Sequence, residues 1–214
     1  MLHGRPEKDW AQSAVFYQIY PMGFCGAPFE NDGVAVNRIQ KVKEWIPHLE
    51  KLGIGAIYFS PVFESDTHGY DTRDYNRLDP RLGTNEDLAQ VCRAFHDAGL
   101  RVLLDGVFHH VGRGFWAFRD VQEKKWNSPY RDWFYLNFDG DTDRGDGFWY
   151  ENWEGHGELV KLNLHNPDVV ESFRNSLKNG KIGIAVFSNR HEEFVFCYVP
   201  MPEMDGWYIV SIVP

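Results

Sequence analysis

The chain has 214 residues, 43% hydrophobic and 25% charged, a composition suited to one sizeable globular core. A net charge of −9, with Lys and Arg scattered, argues against nucleic acid or an anionic membrane surface as a partner, since both need a basic face. Cys25, Cys92 and Cys197 are odd in number and far apart, which argues against a disulfide framework or a structural zinc site.

The opening MLHGRPEKDWAQSAVF contains no apolar stretch of signal-peptide length, and no later run is long enough to span a membrane. A cytoplasmic location is therefore expected. Ser13 to Pro21, SAVFYQIYP, predicts a short buried strand stopped by proline. In VNRIQKVKEWIPHLEKLGI the apolar positions Ile39, Val42, Ile46 and Leu49 have helical spacing, Gly53 fits a C-cap, and Pro47 marks a kink or a split. IGAIYFSPVF, Ile54 to Phe63, predicts a second buried strand, and ESDTHGYDTRDYNRLDPRLGT reads as a polar, aromatic loop. Thr84, with an acidic residue three positions later, opens the helix TNEDLAQVCRAFHDAGL, which Gly99 stops. RVLLDGVF follows as a third strand.

Strands alternating with amphipathic helices predict a parallel sheet covered on both sides, with function at the carboxyl ends of its strands. SPVFESDTHGYD and DGVFHHVG lie at such ends. Residues 1–112 thus form an α/β unit. Residues 113–166, rich in Trp, Asp and Gly, are expected to form an inserted lobe. Residues 167–180 read as a helix, with Asn166 as N-cap and Pro167 at the first helical position. Residues 181–214 carry three β segments, KIGIAVFS, EEFVFCYVP and GWYIVSIV, with an antiparallel signature.

Three clusters could bear chemistry. On an extended strand Asp105 and His109 would share a side and His110 would point away from His109, a poor arrangement for chelating one ion. The readings are a polar cluster contacting a ligand at the sheet's mouth, or residues that merely satisfy a strand end. Tyr70, after a glycine, would stack on a ring or lid the core, and Asp71, Arg73 and Asp74 would form an ion-pair loop. Asp139, Asp141 and Asp143 alternate as calcium ligands do. However, Arg144 stands where an EF-hand needs glycine and Glu151 falls one residue late, so an acidic surface turn is the better reading. The aromatic content, eight Trp, ten Tyr and sixteen Phe, clusters between Phe115 and Trp153. It reads either as core or as flat walls for a ligand with apolar faces and hydroxyl edges. No G-x-S-x-G, P-loop or dinucleotide fingerprint is present.

Taken in order, FYQIYP, YFSPVFES with HGYDTRDYNRLDPRLGT, GLRVLLDGVFHHVG and LVKLNLHNP resemble glycoside hydrolase family 13, the α-amylase family. The style of H-G-Y-D-T and D-G-V-F is similar to its neopullulanase and cyclomaltodextrinase branch. The resemblance implies a (β/α)8 (TIM) barrel, of which the first three strand–helix units and the inserted B-domain-like lobe would be present here, with a short β-rich tail as the remnant of a C-terminal β domain. It implies α-glucan oligosaccharides as substrates: maltooligosaccharides, cyclodextrins or pullulan. It also implies hydrolysis of α-1,4-glucosidic bonds with retention through a glycosyl-enzyme intermediate. Tyr70 would be a stacking platform, His110 a hydrogen-bond donor to the sugar, and Asp105 a residue holding the site together. His109 stands where the family usually has an asparagine that binds calcium in many relatives, which argues against calcium here; no other cofactor is implied.

Retention requires two carboxylates about 5–5.5 Å apart. The family's nucleophile lies in a G-x-R-x-D pattern on the fourth strand and its acid on the fifth, and neither context follows Val170. A complete barrel takes about 250 residues. The expectation is a chain without independent catalysis, marginal as a monomer, that self-associates, is completed by a second chain, or is a fragment of a longer product whose further segment supplies the carboxylates. A non-catalytic α-glucan-binding module and an inactive relic are the alternatives.

Overall fold

The computed structural model describes residues 13–176 and, beyond them, the strands Gly183–Ser188, Glu193–Pro200 and Tyr208–Val213. Strand β1 (Phe16–Ile19) is followed by the short helix α1 (Pro21–Phe24). The expected long helix is divided at its proline into a 3-10 turn, Arg38–Trp45, and helix α2 (Ile46–Leu52). Pro47 has no N–H to continue a ladder, so it is accommodated in the first turn of the new helix. Gly53 ends α2 with φ 71°, a left-handed value that glycine adopts without steric cost. Next come β2 (Ala56–Phe59), β3 (Phe63–Ser65), β4 (Thr72–Leu78), helix α3 (Asn85–Asp97) and β5 (Arg101–Leu104).

Strands β1, β2 and β5 pair in parallel in that order, with Phe16, Ala56 and Arg101 in one row and Ile19, Phe59 and Leu104 in another. Ile57, Phe59, Val102 and Leu104 are at most 3% exposed and belong to one core with Ile39, Val42, Leu49, Val91 and Phe95. Phe59 meets Phe95 of α3 edge to face, with ring centroids 5.7 Å apart. Among the described residues the opposite face is only partly covered, against the expected cover on both sides: Ala56 is buried, whereas Phe16, Gln18 and Arg101 are exposed. In a closed barrel that face is filled by side chains from the other strands, and here β1 and β5 are the edges of a three-stranded sheet.

The segment read as a loop contains a hairpin: β3 and β4 are antiparallel with an irregular register. Thr72, Tyr75 and Leu78 are its buried positions. That spacing of three has neither the strand period nor the apolar content that marks a strand in sequence.

Strand β5 stops at Leu104, short of the expected DGVF. His110–Gly112 forms β6 in a different sheet, followed by helix α4 (Trp116–Lys124), the pair β7 (Leu136–Asn137) and β8 (Trp149–Tyr150), then β9 (Asn152–Trp153) and β10 (His156–Lys161). Strand β10 runs antiparallel between β6 and β9. Here the phenylalanines are mostly buried and the tryptophans mostly exposed, Trp133 being buried with the core. Phe115, Phe118, Phe134, Phe148 and Tyr150 are buried, whereas Trp116, Trp126, Trp149 and Trp153 are exposed. Arg113 ties this region to Asp146 through two bonds of 2.7 and 2.9 Å and donates to the Tyr150 hydroxyl.

Helix α5 (Pro167–Ser176) starts where Asn166 Oδ1 accepts from Asp168 N, the expected cap. Strands β11 (Gly183–Ser188), β12 (Glu193–Pro200) and β13 (Tyr208–Val213) form an antiparallel sheet in chain order.

The Thr84 cap is reciprocal: its hydroxyl accepts from Asp87 N and the Asp87 carboxylate accepts from Thr84 N at 2.9 Å. Thr84→Ala removes both the cap and a partner of Asp87. It should lower stability by about 1 kcal/mol, seen as an earlier urea midpoint with an unchanged slope; an unmoved midpoint contradicts this account of the helix start.

Candidate functional site at the strand ends

The carboxyl ends of the three parallel strands bring five polar side chains together. Ser60 and Asp105 directly follow β2 and β5, and their backbone N–H groups bond to Ile19 O (3.0 Å) and Phe59 O (2.9 Å), which fixes each strand end on its neighbour. Gln18 Nε2 donates to the Ser60 hydroxyl at 2.9 Å. The Tyr70 hydroxyl lies within interaction range of Ser60 and of Asp105. The Asp105 carboxylate faces the hydroxyls of both Tyr58 and Tyr70. Burial pushes the Asp105 carboxyl above its ordinary range, although the two hydroxyls partly offset this. Burial, with the Asp105 charge beside them, also raises both Tyr58 and Tyr70.

Tyr70 rides on a rigid loop. Asp71, 2% exposed, accepts from Thr67 N (2.8 Å), Thr67 Oγ1 (2.6 Å) and Gly69 N (3.2 Å), while Tyr70 N donates to His68 Nδ1 at 3.1 Å. Gly69 takes φ 98° at the turn. A Cβ on Gly112 would run into the Asp71 carbonyl, so only glycine lets β6 lie this close. Behind the loop, Arg81 and Asp79 are both fully buried and share bonds of 2.8 Å from Nε and Nη2. Arg81 also donates to Ser65 Oγ at 2.9 Å, Thr67 O at 2.7 Å, Pro28 O at 3.1 Å and Phe29 O. The Asp71–Arg73–Asp74 ion-pair loop takes another form: Arg73 pairs with Asp66, and Asp71 is spent on the loop's own backbone and Thr67.

His110 lies under this loop, 3% exposed. Its Nε2 is 3.0 Å from Tyr70 O and its Nδ1 is 2.8 Å from His109 Nε2. A carbonyl only accepts, so His110 carries its proton on Nε2, and Nδ1 accepts from His109 Nε2–H. The two rings are in contact, with centroids 4.3 Å apart, which corrects the expectation that they diverge. Because β5 ends at Leu104, strand alternation does not extend to residues 109 and 110. Trp153 lies 5.5 Å from His110, ring to ring, and remains 37% exposed. Burial and the neighbouring His109 press the His110 imidazole down to about 4.

Tyr70, Asp105 and His110 are therefore one connected group. Asp139, Asp141 and Asp143 belong to the turn before β8, where Asp141 accepts from Thr142 N and Gly147 N. Among the described residues no three His, Cys, Asp or Glu side chains gather as metal ligands would. His109 donates to His110, so the residues here do not suit a calcium ion. Sequence reading missed Tyr58, Gln18, Ser60, Asp79 and Arg81. The signal available for Tyr58 was a hydroxyl in an otherwise apolar strand; for Arg81 there was none, since its burial is decided by chain segments far apart in sequence.

The family model for the α-amylase catalytic domain matches residues 18–179. A cyclomaltodextrinase of Bacillus sp is 36% identical over 179 residues, covering 76% of this chain and 32% of the relative. Neopullulanase 2 of Thermoactinomyces vulgaris is 34% identical, covering 76% and 31%. The chain thus spans about a third of the length of these curated relatives. The solved structure of cyclic α-maltosyl-(1→6)-maltose hydrolase from Arthrobacter globiformis, in complex with that cyclic sugar, superposes with a TM-score of 0.68 at 32% identity, over 79% of this chain and 42% of that one.

Two outcomes follow from these contacts. Arg81→Met leaves Asp79 charged and buried, and should cost about 3–5 kcal/mol; adding Asp79→Leu should restore part of it, and equal stability of both variants contradicts the ion-pair account. The unfolded chain takes up a proton on His110 near pH 6.5 but the folded chain only near 4. Stability is therefore full above pH 6.5 and is lost as pH falls from 6.5 to 4, by about 3 kcal/mol for that depression. Urea midpoints between pH 7 and pH 4.5 should fall steeply in the native chain and less steeply in His110→Gln; parallel profiles count against it.

Proposed function

The chain belongs to the α-amylase family, and from that premise we propose that it carries the sugar-holding first part of the family's active site, with α-glucan oligosaccharides as ligand. The observation that carries this reading is the Tyr70 ring, 36% exposed, presented by a loop whose backbone is bonded from three sides. An aromatic face held that rigidly stacks on a pyranose without first losing conformational entropy. Asp105, linked to Tyr58 and Tyr70, fixes the direction of two hydroxyls and so of the hydrogen bonds they offer. His110 is a positioning residue in this reading, because its Nε2–H is held by Tyr70 O; donation to a sugar hydroxyl, as the resemblance implies, would exchange that bond.

Binding without independent turnover is the reading for the chain by itself. Asp105 is the carboxylate of the connected group, and neither the G-x-R-x-D pattern nor the context of the acid follows Val170. A second reading, hydrolysis by an assembly in which another chain supplies the nucleophile and the acid, is favoured by the exposed face of β1, where Phe16 is 44% exposed, and by the position of β1 at the edge of its sheet. A cytoplasmic location accords with a small neutral glucan ligand, and among the described residues no helix is long and apolar enough to cross a membrane.

Maltohexaose titrated calorimetrically into the full chain should give measurable binding. Tyr70→Ala should weaken it roughly tenfold or more, the loss of one stacking contact and its buried area, whereas Tyr70→Phe, which keeps the ring, should lose much less. Equal losses in the two variants would assign the contribution to the hydroxyl instead of the ring, and no binding by the native chain removes the reading.

A further inference from the structure

A cavity of about 320 Å³ opens on the surface along the stretch from Trp126 to Asp139, which runs from the end of α4 through β7, and none of its lining residues belongs to the Tyr70–Asp105–His110 group. We propose that it is a second carbohydrate-binding site, taking a short α-glucan segment on the indole of Trp126. The proposal rests on the α-glucan reading above for the ligand's identity, and on the cavity's own chemistry for its existence.

Trp126 is 61% exposed, yet it is not loose. One face of its indole is stacked on Phe138 at 4.2 Å between centroids and 30° between planes. The other side is left for a ligand. Its backbone is pinned as well: Arg131 Nη1 donates to Trp126 O at 3.1 Å, and the residue before it, Lys125, holds φ 52°. A non-glycine residue seldom adopts that conformation unless its surroundings enforce it. Here Lys125 Nζ is bonded to Asp146 O and lies 4.8 Å over the Phe148 ring. The strained turn thus fixes where the indole projects.

Around the platform stand Arg131, Asp132, Asn137 and Asp139, all exposed. Arg131 is partly engaged by Trp126 O and by Asp132 at 3.5 Å, and Asn137 Oδ1 accepts from Asp139 N; the remaining guanidinium and amide N–H groups and the carboxylate oxygens still offer donors and acceptors side by side, the combination that matches vicinal hydroxyls. An anionic ligand would meet two carboxylates against one guanidinium that Asp132 already faces. The volume lies at the small end of the range of about 300–1,000 Å³ for ligand pockets, which suits a sugar or two rather than a long chain.

The test follows the indole N–H signals of the full chain by NMR as maltotetraose is added, with each tryptophan assigned by replacement with phenylalanine. Trp153, beside His110, reports on the central site and Trp126 on the cavity. The Trp126 signal should move in a saturable way, in native chain and in Tyr70→Ala alike, and Trp126→Ala should leave the Trp153 response unchanged. An unmoved Trp126 with a responding Trp153 overturns this proposal and leaves the central reading standing. If neither moves, both fall. A Trp126 signal that moves with protein concentration and not with sugar also overturns it, assigning the indole to contact between copies of the chain.

Discussion

The Asp79–Arg81 pair is the constraint on which the strand-end architecture hangs. A guanidinium with no solvent exposure is tolerable only if its charge is matched and its N–H groups find partners. Asp79 supplies the charge, and the segments around Pro28, Ser65 and Thr67 supply the rest. Those segments belong to the connection after α1, to β3, and to the turn that presents Tyr70, and Asn31 adds a direct bond from the first to Ser65 O at 2.7 Å. A charged group that would be costly if unsatisfied thereby forces three stretches of chain into one arrangement. The loop's shape follows from it, and so does the fixed position of the Tyr70 ring.

From there, each element of the candidate site is second in a chain of supports. Arg81 holds the loop floor, Asp71 closes the loop on its own N–H groups, and His110 bonds the Tyr70 carbonyl from below. Tyr70 in turn meets Asp105 and Ser60, which sit where β5 and β2 end. The parallel register places Ser60 and Asp105 side by side because each strand end bonds to its neighbour's carbonyl. Geometry set by backbone pairing in the sheet is thus transmitted to side-chain hydroxyls without a flexible step between.

Much of this was legible in the residues. The alternation of strands and helices, the Thr84 cap, the Gly53 stop and the break at Pro47 all act locally, and local effects leave local patterns. Tyr70, Asp105 and His110 could be named together only through the order of the motifs that contain them. What stayed hidden was non-local. The β3–β4 hairpin is stabilised by burying Thr72, Tyr75 and Leu78 against the core, at a spacing without a period. The contact between His109 and His110 depends on where β5 stops, and the burial of Arg81 on segments tens of residues apart. The division of the aromatics into a phenylalanine-rich interior and an exposed set of tryptophans likewise needed the folded chain, since composition alone fits either use.

The central claim is that this chain holds an α-glucan but lacks the pair of carboxylates that would cleave it. Overnight incubation of the purified chain with maltohexaose and with a cyclodextrin, with products read by mass spectrometry, tests it most directly. The account predicts that both sugars are recovered intact. Shorter maltooligosaccharides, formed by the native chain and lost in Tyr70→Ala, would contradict it and show that a nucleophile and an acid are at work in this sequence.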